Sequence, residues 1–294
     1  MITPDAYAGS RFLAAGPCDA ARVVLFGVPM DFTASFRPGS RFGPQAIRQA
    51  SVVLETYSPA LDGDLMDVTF CDAGDLALPF GNVPQAVQAI ESYADGVHRA
   101  GRIPFALGGE HLISLPLVRA AHRRFPDLAV IHIDAHADLR TDYEGEVLSH
   151  ATPFRLIAEH IGPRNVYSFA IRSGTAEEFR YARKALNFFP FALEAPLKEV
   201  ADALRGRPVY VSIDIDVLDP AFAPGTGTPE PEGLSPQELF SAVRRLAASG
   251  VTLVGADVVE VAPAYDPSGR TAVVAAKLVR ELLIGFFAAP RAAR

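Results

Sequence analysis

Two apolar runs in this chain end in ionisable residues at every second position, and few folds can accommodate that. The first, from Ala129 to Asp138, carries Asp134, His136 and Asp138; the second, from Val209 to Asp216, carries Asp214 and Asp216. Runs such as Ala-Val-Ile-His-Ile and Val-Tyr-Val-Ser-Ile read as strands covered on both faces, hence as members of a parallel sheet between helices. A strand buried on both faces cannot hold unpaired acids, because desolvating an ionised carboxylate costs several kcal/mol. Something cationic belongs between them. Carboxylates mixed with imidazole suit hard to borderline divalent metals, and two such clusters on neighbouring strand ends suit two ions with shared ligands.

The rest of the chain fits that frame. Candidate strands are Arg22–Val28, Val68–Cys71, Ile103–Leu107, Ala129–Asp134, Asn165–Ile171, Asn187–Phe191, Pro208–Ile213 and Thr252–Val258. They alternate with segments of helical period, the pattern of parallel strands joined by crossover helices. Pro44, Ser114 and Thr271 open helical segments, and Ser235-Pro-Gln-Glu238 reads as a capping box with proline at the first helical position. No repeat, low-complexity tract or long linker interrupts the 294 residues, so a single domain is expected, with residues 1–20 as an N-terminal extension. The Gly/Pro-rich stretch from Asp219 to Gly233 is too apolar for a linker and reads as a rigid loop above the sheet.

Composition excludes several partners. A net charge of −7, a pI near 5.5 and the absence of any Lys/Arg run give no support to nucleic acid or an anionic membrane surface. A small soluble or cationic ligand is expected instead. The apolar stretch from Ala272 to Ala289 carries Lys277, Arg280 and Glu281, which suits a membrane span poorly. The amino terminus has neither a basic nor an apolar signal region, so no secretory signal is read. Cys18 and Cys71 are too few and too casually placed for a disulfide framework or a thiolate zinc site, and the cytoplasm is the expected compartment.

Further site candidates lie at other strand ends. Leu107-Gly-Gly-Glu-His111 ends a strand with two glycines that permit close backbone approach and then offers His111 as an imidazole ligand. His150 follows the first acidic cluster, and Glu260 closes the last strand. Each has a bland reading beside it. An isolated Asp-x-His-x-Asp is commonly a turn or cap, but three such motifs at the carboxyl ends of separate strands are not independent accidents. His98, His122 and His160 read as solvated helix residues, and His132 as a hydrogen-bonded core histidine with a supporting role behind the site as the alternative. Asp219 reads as a turn residue, and Asp257 as a strand-end acid or a support to the ligands. The Arg37–Pro44 stretch reads equally as a functional motif or as turn punctuation alone, with its two arginines as pairing partners for surface acids.

Taken in order, Gly27-Val-Pro-Met-Asp31, Arg37-Pro-Gly-Ser-Arg-Phe-Gly-Pro-Gln-Ala-Ile-Arg48, Gly108-Gly-Glu-His111, Asp134-Ala-His-Ala-Asp138, Ser212-Ile-Asp-Ile-Asp-Val-Leu-Asp-Pro220, Gly225-Thr-Gly-Thr-Pro-Glu230 and Val258-Val-Glu-Val-Ala-Pro-Ala-Tyr-Asp266 resemble the ureohydrolases, the arginase and agmatinase family. Within the family the resemblance is greatest to bacterial agmatinases, and it runs from about residue 20 to the C-terminal helix. It implies a three-layer α/β/α sandwich around a mainly parallel eight-stranded sheet, two Mn2+ per subunit, a homo-oligomer (hexamer or trimer), and hydrolysis of agmatine to putrescine and urea in polyamine biosynthesis. Carried over by position, one manganese takes His111, Asp134, Asp138 and Asp214, and the other Asp134, His136, Asp214 and Asp216. His150 matches a proton-shuttling position, and Glu260 the acid that receives the guanidinium group. Two departures stand out: Ala137 replaces a usual threonine, which puts one supporting hydrogen bond in doubt, and Glu232 replaces a common glycine near the expected mouth.

Such chemistry needs this constellation. A guanidinium group stays protonated, with a pKa above about 12, and its carbon is a poor electrophile. Two metals that bridge one water lower its pKa toward about 7 and hold the hydroxide in line with that carbon. Asp138 is the expected proton donor to the departing amine, with His150 relaying protons to bulk water. The loop from Leu139 to Ser149 offers Asp142, Glu144 and Glu146, an acidic rim that favours an amine tail over a carboxylate; on the other reading these acids simply face solvent. Glu144 is thus a candidate substrate contact beside His150 and Glu260. The alternatives are another guanidino substrate (aminopropylagmatine, guanidinobutyrate or arginine) and a non-catalytic metal-binding protein of the same fold. A binuclear phosphoesterase would need a downstream Gly-Asn-His motif, which the sequence lacks.

Overall fold

The computed structural model describes residues 11–288; residues 1–10, on which the reading of no secretory signal rests, and residues 289–294 lie outside the described residues. All eight expected strands form: β1 (Val23–Val28), β4 (Phe70–Asp75), β5 (Ile103–Gly108), β6 (Ala129–Ile133), β7 (Val166–Phe169), β8 (Asn187–Phe189), β9 (Pro208–Asp214) and β10 (Thr252–Val259). A small antiparallel pair, β2 (Tyr57–Ser58) and β3 (Gly63–Asp64), is additional and too short for any periodic signal in sequence. The helices are α1 (Gly43–Ser51), α2 (Val83–Arg99), α3 (Ser114–Arg124), α4 (Pro153–Ile161), α5 (Ala176–Ala185), α6 (Glu194–Ala203), α7 (Pro236–Ala248) and α8 (Arg270–Phe287).

The large sheet has the order β4-β1-β5-β10-β9-β6-β7-β8, and all its pairings are parallel. Alternate strand residues feed two cores, as a pleat with period two requires. Val23 and Leu25 of β1 pack in one with Ile47 of α1, Leu197 of α6, Leu239 of α7 and Leu278 of α8. Val24, Phe26 and Val28 pack in the other with Ile90 of α2, Val118 of α3, Phe154 of α4 and Ala182 of α5. Helices therefore cover both faces, which is the expected three-layer sandwich. The ends of β5, β10, β9 and β6 lie side by side at the centre of the sheet, where connections leave in different directions and open a crevice.

Two expectations change. Cys18 and Cys71 form a disulfide: Gly16 pairs alongside Cys71, which leaves the two Cα atoms 5.0 Å apart. Spacing along the chain gave no hint of this because the contact is made by strand pairing. In the described part of the N-terminal extension Phe12 is buried, and its N–H donates to Asp72 at 2.8 Å. His98 is buried against Phe125 rather than solvated; His122 is half-buried and His160 exposed. Among the described residues no helix is long and apolar enough to cross a membrane.

Candidate metal centre

Strand pairing assembles the cluster. β6 lies beside β9 with Ile133 opposite Ile213, so Asp134 and Asp214 emerge next to each other. β10 sits between β9 and β5, with Val259 opposite Asp214 and Val258 opposite Leu107, which brings in His111 and Glu260. The two glycines after Leu107 are required by this crowding: a Cβ on Gly108 would lie 2.5 Å from Val259, and one on Gly109 would lie 2.0 Å from the Met30 carbonyl oxygen. Asp138 and Glu260 adopt left-handed backbone conformations, with φ of 51° and 65°, a strained geometry that aims side chains where regular structure would not.

His111 Nδ1 lies 2.9 Å from Asp134, 3.3 Å from Asp138 and 3.3 Å from Asp214, yet it makes no aligned hydrogen bond and is fully buried. His136 Nδ1 lies 2.9 Å from Asp216 and 3.8 Å from Asp134, and Asp216 Oδ2 is likewise buried without a hydrogen-bond partner. Converging donor atoms with unsatisfied lone pairs fit divalent cations better than they fit one another. Asp134, His136 and Asp216 offer donor atoms within 4.8 Å of one another, as do His111, His132 and Asp134. His132 has no ring nitrogen to spare, because Nε2 meets Asp134 at 2.8 Å and Nδ1 meets Ser168 at 3.2 Å. It is a core histidine, stacked on Phe154, that also supports a ligand-type acid.

Electrostatics tell the same story. Burial pushes Asp138 up to about 7, and burial with the charge of Asp216 raises Asp214 well above the usual carboxylate range. In His111 burial favours the neutral ring but is outweighed by Asp134, Asp138 and Asp214, which hold its pKa well above normal. Acids reluctant to ionise beside imidazoles reluctant to lose charge describe a pocket that demands positive charge. Behind His111, Nε2 meets Ser212 at 2.8 Å, and Ser212 donates to Asp257 at 2.6 Å; Ser114 and Tyr210 donate to the same acid. That chain turns Nδ1 toward the cluster.

Glu260 Oε1 accepts the His111 N–H at 2.8 Å, and burial with the charge of Glu110 pushes Glu260 up to about 8. A cavity of about 330 Å³ opens over the cluster, lined by His111, His136, Asp138, His150, Asp214 and Glu260 among others. The structure thus gathers His111, Asp134, His136, Asp138, Asp214, Asp216, His150 and Glu260 at one place.

The arginase family model matches residues 21–285. The agmatinase of Bacillus subtilis (strain 168) is 55% identical over 97% of this chain and 99% of its own length. The guanidinobutyrase of Pseudomonas aeruginosa is 38% identical over 90% of this chain and 86% of its own. Among solved structures, the agmatine ureohydrolase of Thermoplasma volcanium superposes with a TM-score of 0.85 at 33% identity, covering 95% of each chain. The chain belongs to the arginase family. It is a ureohydrolase, an enzyme that cleaves amidine C–N bonds.

The ureohydrolase departs from the sequence reading at its rim. Glu144 occupies an exposed turn with φ of 52°, and neither it nor Asp142 nor Glu146 lines the cavity; Arg140 and Tyr143 of the same loop do. A turn closed by paired bonds between Tyr143 and Glu146 swings the acids outward. Ala137 is buried, with its Cβ 3.1 Å from where a Gly174 Cβ would lie, so the alanine fills a tight space. Glu232 has a left-handed φ of 64°, the conformation for which glycine is the default, and it does not line the cavity. Sequence reasoning missed Arg172, whose guanidinium donates to the carbonyls of Asp216, Val217, Glu230 and Pro231 and so clamps the Asp219–Gly233 loop over the site. Nothing in its local sequence marks that role.

Proposed function

We propose that this ureohydrolase hydrolyses agmatine to putrescine and urea as a polyamine-forming step, as a cytoplasmic homo-oligomer folded as one domain. Two manganese ions would be held by His111, Asp134, Asp138 and Asp214, and by Asp134, His136, Asp214 and Asp216. The observation that carries the reading is the convergence of three carboxylates on the buried, unsatisfied His111 Nδ1. When bound, such ions supply positive charge that lowers the pKa of water toward about 7.

The chain's own residues do the rest. Glu260 commits Oε1 to the His111 N–H and keeps Oε2 for a substrate N–H. A guanidinium beside it reverses the upward pKa shift, so substrate binding makes its own carboxylate partner. Asp138, on the cavity wall, takes up the proton released by the attacking water and delivers it to the departing amine nitrogen, since an amide anion does not leave. His150 lines the cavity and passes protons outward.

Agmatine is favoured by the 55% identity to an agmatinase. A second reading, a guanidino acid, is favoured by Arg140, a cation on the cavity wall that suits a carboxylate tail. Urea release across a panel of guanidino compounds, with and without added manganese, decides between them. Agmatine is expected to exceed arginine and guanidinobutyrate at least tenfold in kcat/KM; comparable values would refute the specificity while leaving the reaction class. His111→Ala is expected to cost one metal per subunit and Asp214→Ala both, read by metal analysis.

A further inference from the structure

His150 is reached by two hydroxyls from a segment 115 to 117 residues away in sequence. Its backbone N–H donates to Thr33 Oγ1 at 2.9 Å, and its ring Nδ1 lies 3.5 Å from the same oxygen. Ser35 Oγ lies 3.1 Å from Nε2, and the edge of the Tyr143 ring packs 5.4 Å away. The ring is therefore approached from both nitrogens, while the local partner, Ser149 Oγ, is 3.3 Å from Nδ1. The main-chain bond to Thr33 is the shortest of these contacts.

The segment that supplies these hydroxyls is itself tied to the metal-site strand. The Thr33 N–H donates to Glu110 Oε2 at 2.8 Å, and the Glu110 N–H returns a bond to the Met30 carbonyl at 2.7 Å. Glu110 is 1% exposed, and its other oxygen has no hydrogen-bond partner. Glu110 immediately precedes His111, and the Glu260 N–H donates to Gly109 at 2.9 Å. One strand end thus registers the His111 and Glu260 positions and, through Glu110 and Thr33, that of His150.

We propose that Thr33 and Glu110 are positioning residues that set His150 over the centre: Glu110 fixes the Thr33 turn, and the Thr33 hydroxyl fixes the His150 main chain and, together with Ser35 and Ser149, the ring. Neither touches substrate. The consequence for turnover rests on the proposed role of His150; the anchoring itself does not. A displacement of about 1 Å at such a group costs on the order of 100-fold in rate.

The test uses Thr33→Val, nearly isosteric but without the oxygen, and Thr33→Ser, which keeps it. In the full-length protein the His150 ring resonance, assigned by comparison with His150→Gln, is expected to shift in Thr33→Val and Glu110→Ala and to stay in place in Thr33→Ser and Glu110→Gln. With metal content unchanged, Thr33→Val is expected to lower kcat about tenfold or more with little change in KM, Thr33→Ser to recover most of it, and Thr33→Val to add less than about twofold when His150 is already glutamine. An unmoved His150 resonance in Thr33→Val, or a full extra loss in the His150→Gln background, overturns the proposal. If His150→Gln turns over like the parent while Thr33→Val still shifts the ring, the anchoring stands and the proposed role of His150 falls.

Discussion

At the scale of single residues, chemistry was legible wherever a side chain's neighbours in sequence settle its environment. Asp134 and Asp214 terminate apolar runs, so their burial could be inferred before any contact was known. His98 shows the opposite case, because its charged neighbours Asp95 and Arg99 mark an exposed face while the side chain turns into the core. Burial, with Arg124 adding to it and Asp95 opposing, holds the His98 imidazole down at about 4 against an ordinary value of 6.5. Between those values the unfolded chain binds more protons than the folded one. Stability contributed through this residue is therefore constant above about pH 6.5 and falls as pH drops toward about 4, by about 2–3 kcal/mol. Chemical denaturation of His98→Leu against the parent at pH 7 and pH 4.5 checks this: the difference between the two proteins is expected to shift in favour of the variant at the lower pH. The outward turn of Glu144 and the contact of Glu110 with Thr33 escape a local reading for one reason, that neither the swing of a turn nor a partner 77 residues distant can be read from the local chain.

At the scale of elements, strands and helix starts followed closely from pattern. Ser235 and Glu238 form the expected capping box, with Ser235 Oγ accepting the Glu238 N–H at 3.3 Å and the Glu238 carboxylate accepting the Ser235 N–H at 2.7 Å. Ser235→Ala removes one half of it and leaves an orphan donor at the start of α7, so a loss of about 1 kcal/mol is expected, seen as a lower denaturation midpoint with turnover unchanged. The last helix starts at Arg270, one residue before the expected Thr271, whose hydroxyl accepts the Gly225 N–H instead. Two-residue strands such as β2 and β3 carry too few positions for a period to show, which is why the hairpin went unread.

At the scale of the whole molecule, the Cys18–Cys71 link closes a 53-residue separation, and a crosslink of that span contributes about 2–4 kcal/mol, chiefly by restricting the unfolded chain. The oxidised protein is expected to melt higher than the reduced one, and Cys18→Ser to melt at the reduced temperature with or without reductant. Turnover is expected to be indifferent to the bond, because neither Cys18 nor Cys71 lines the cavity. The alternation of apolar runs with helical segments, and the acids closing those runs, determined by themselves that this chain forms parallel strands joined by crossover helices with a cation-seeking site at the strand ends. Those are consequences of burial, which each residue carries locally. The order of strands, the left-handed turns at Asp138 and Glu260, the Cys18–Cys71 pairing and the Glu110–Thr33–His150 chain were decided only by tertiary structure. Each depends on distances between segments far apart in sequence, and a hydrogen bond or disulfide has no energy until packing brings its two halves within reach.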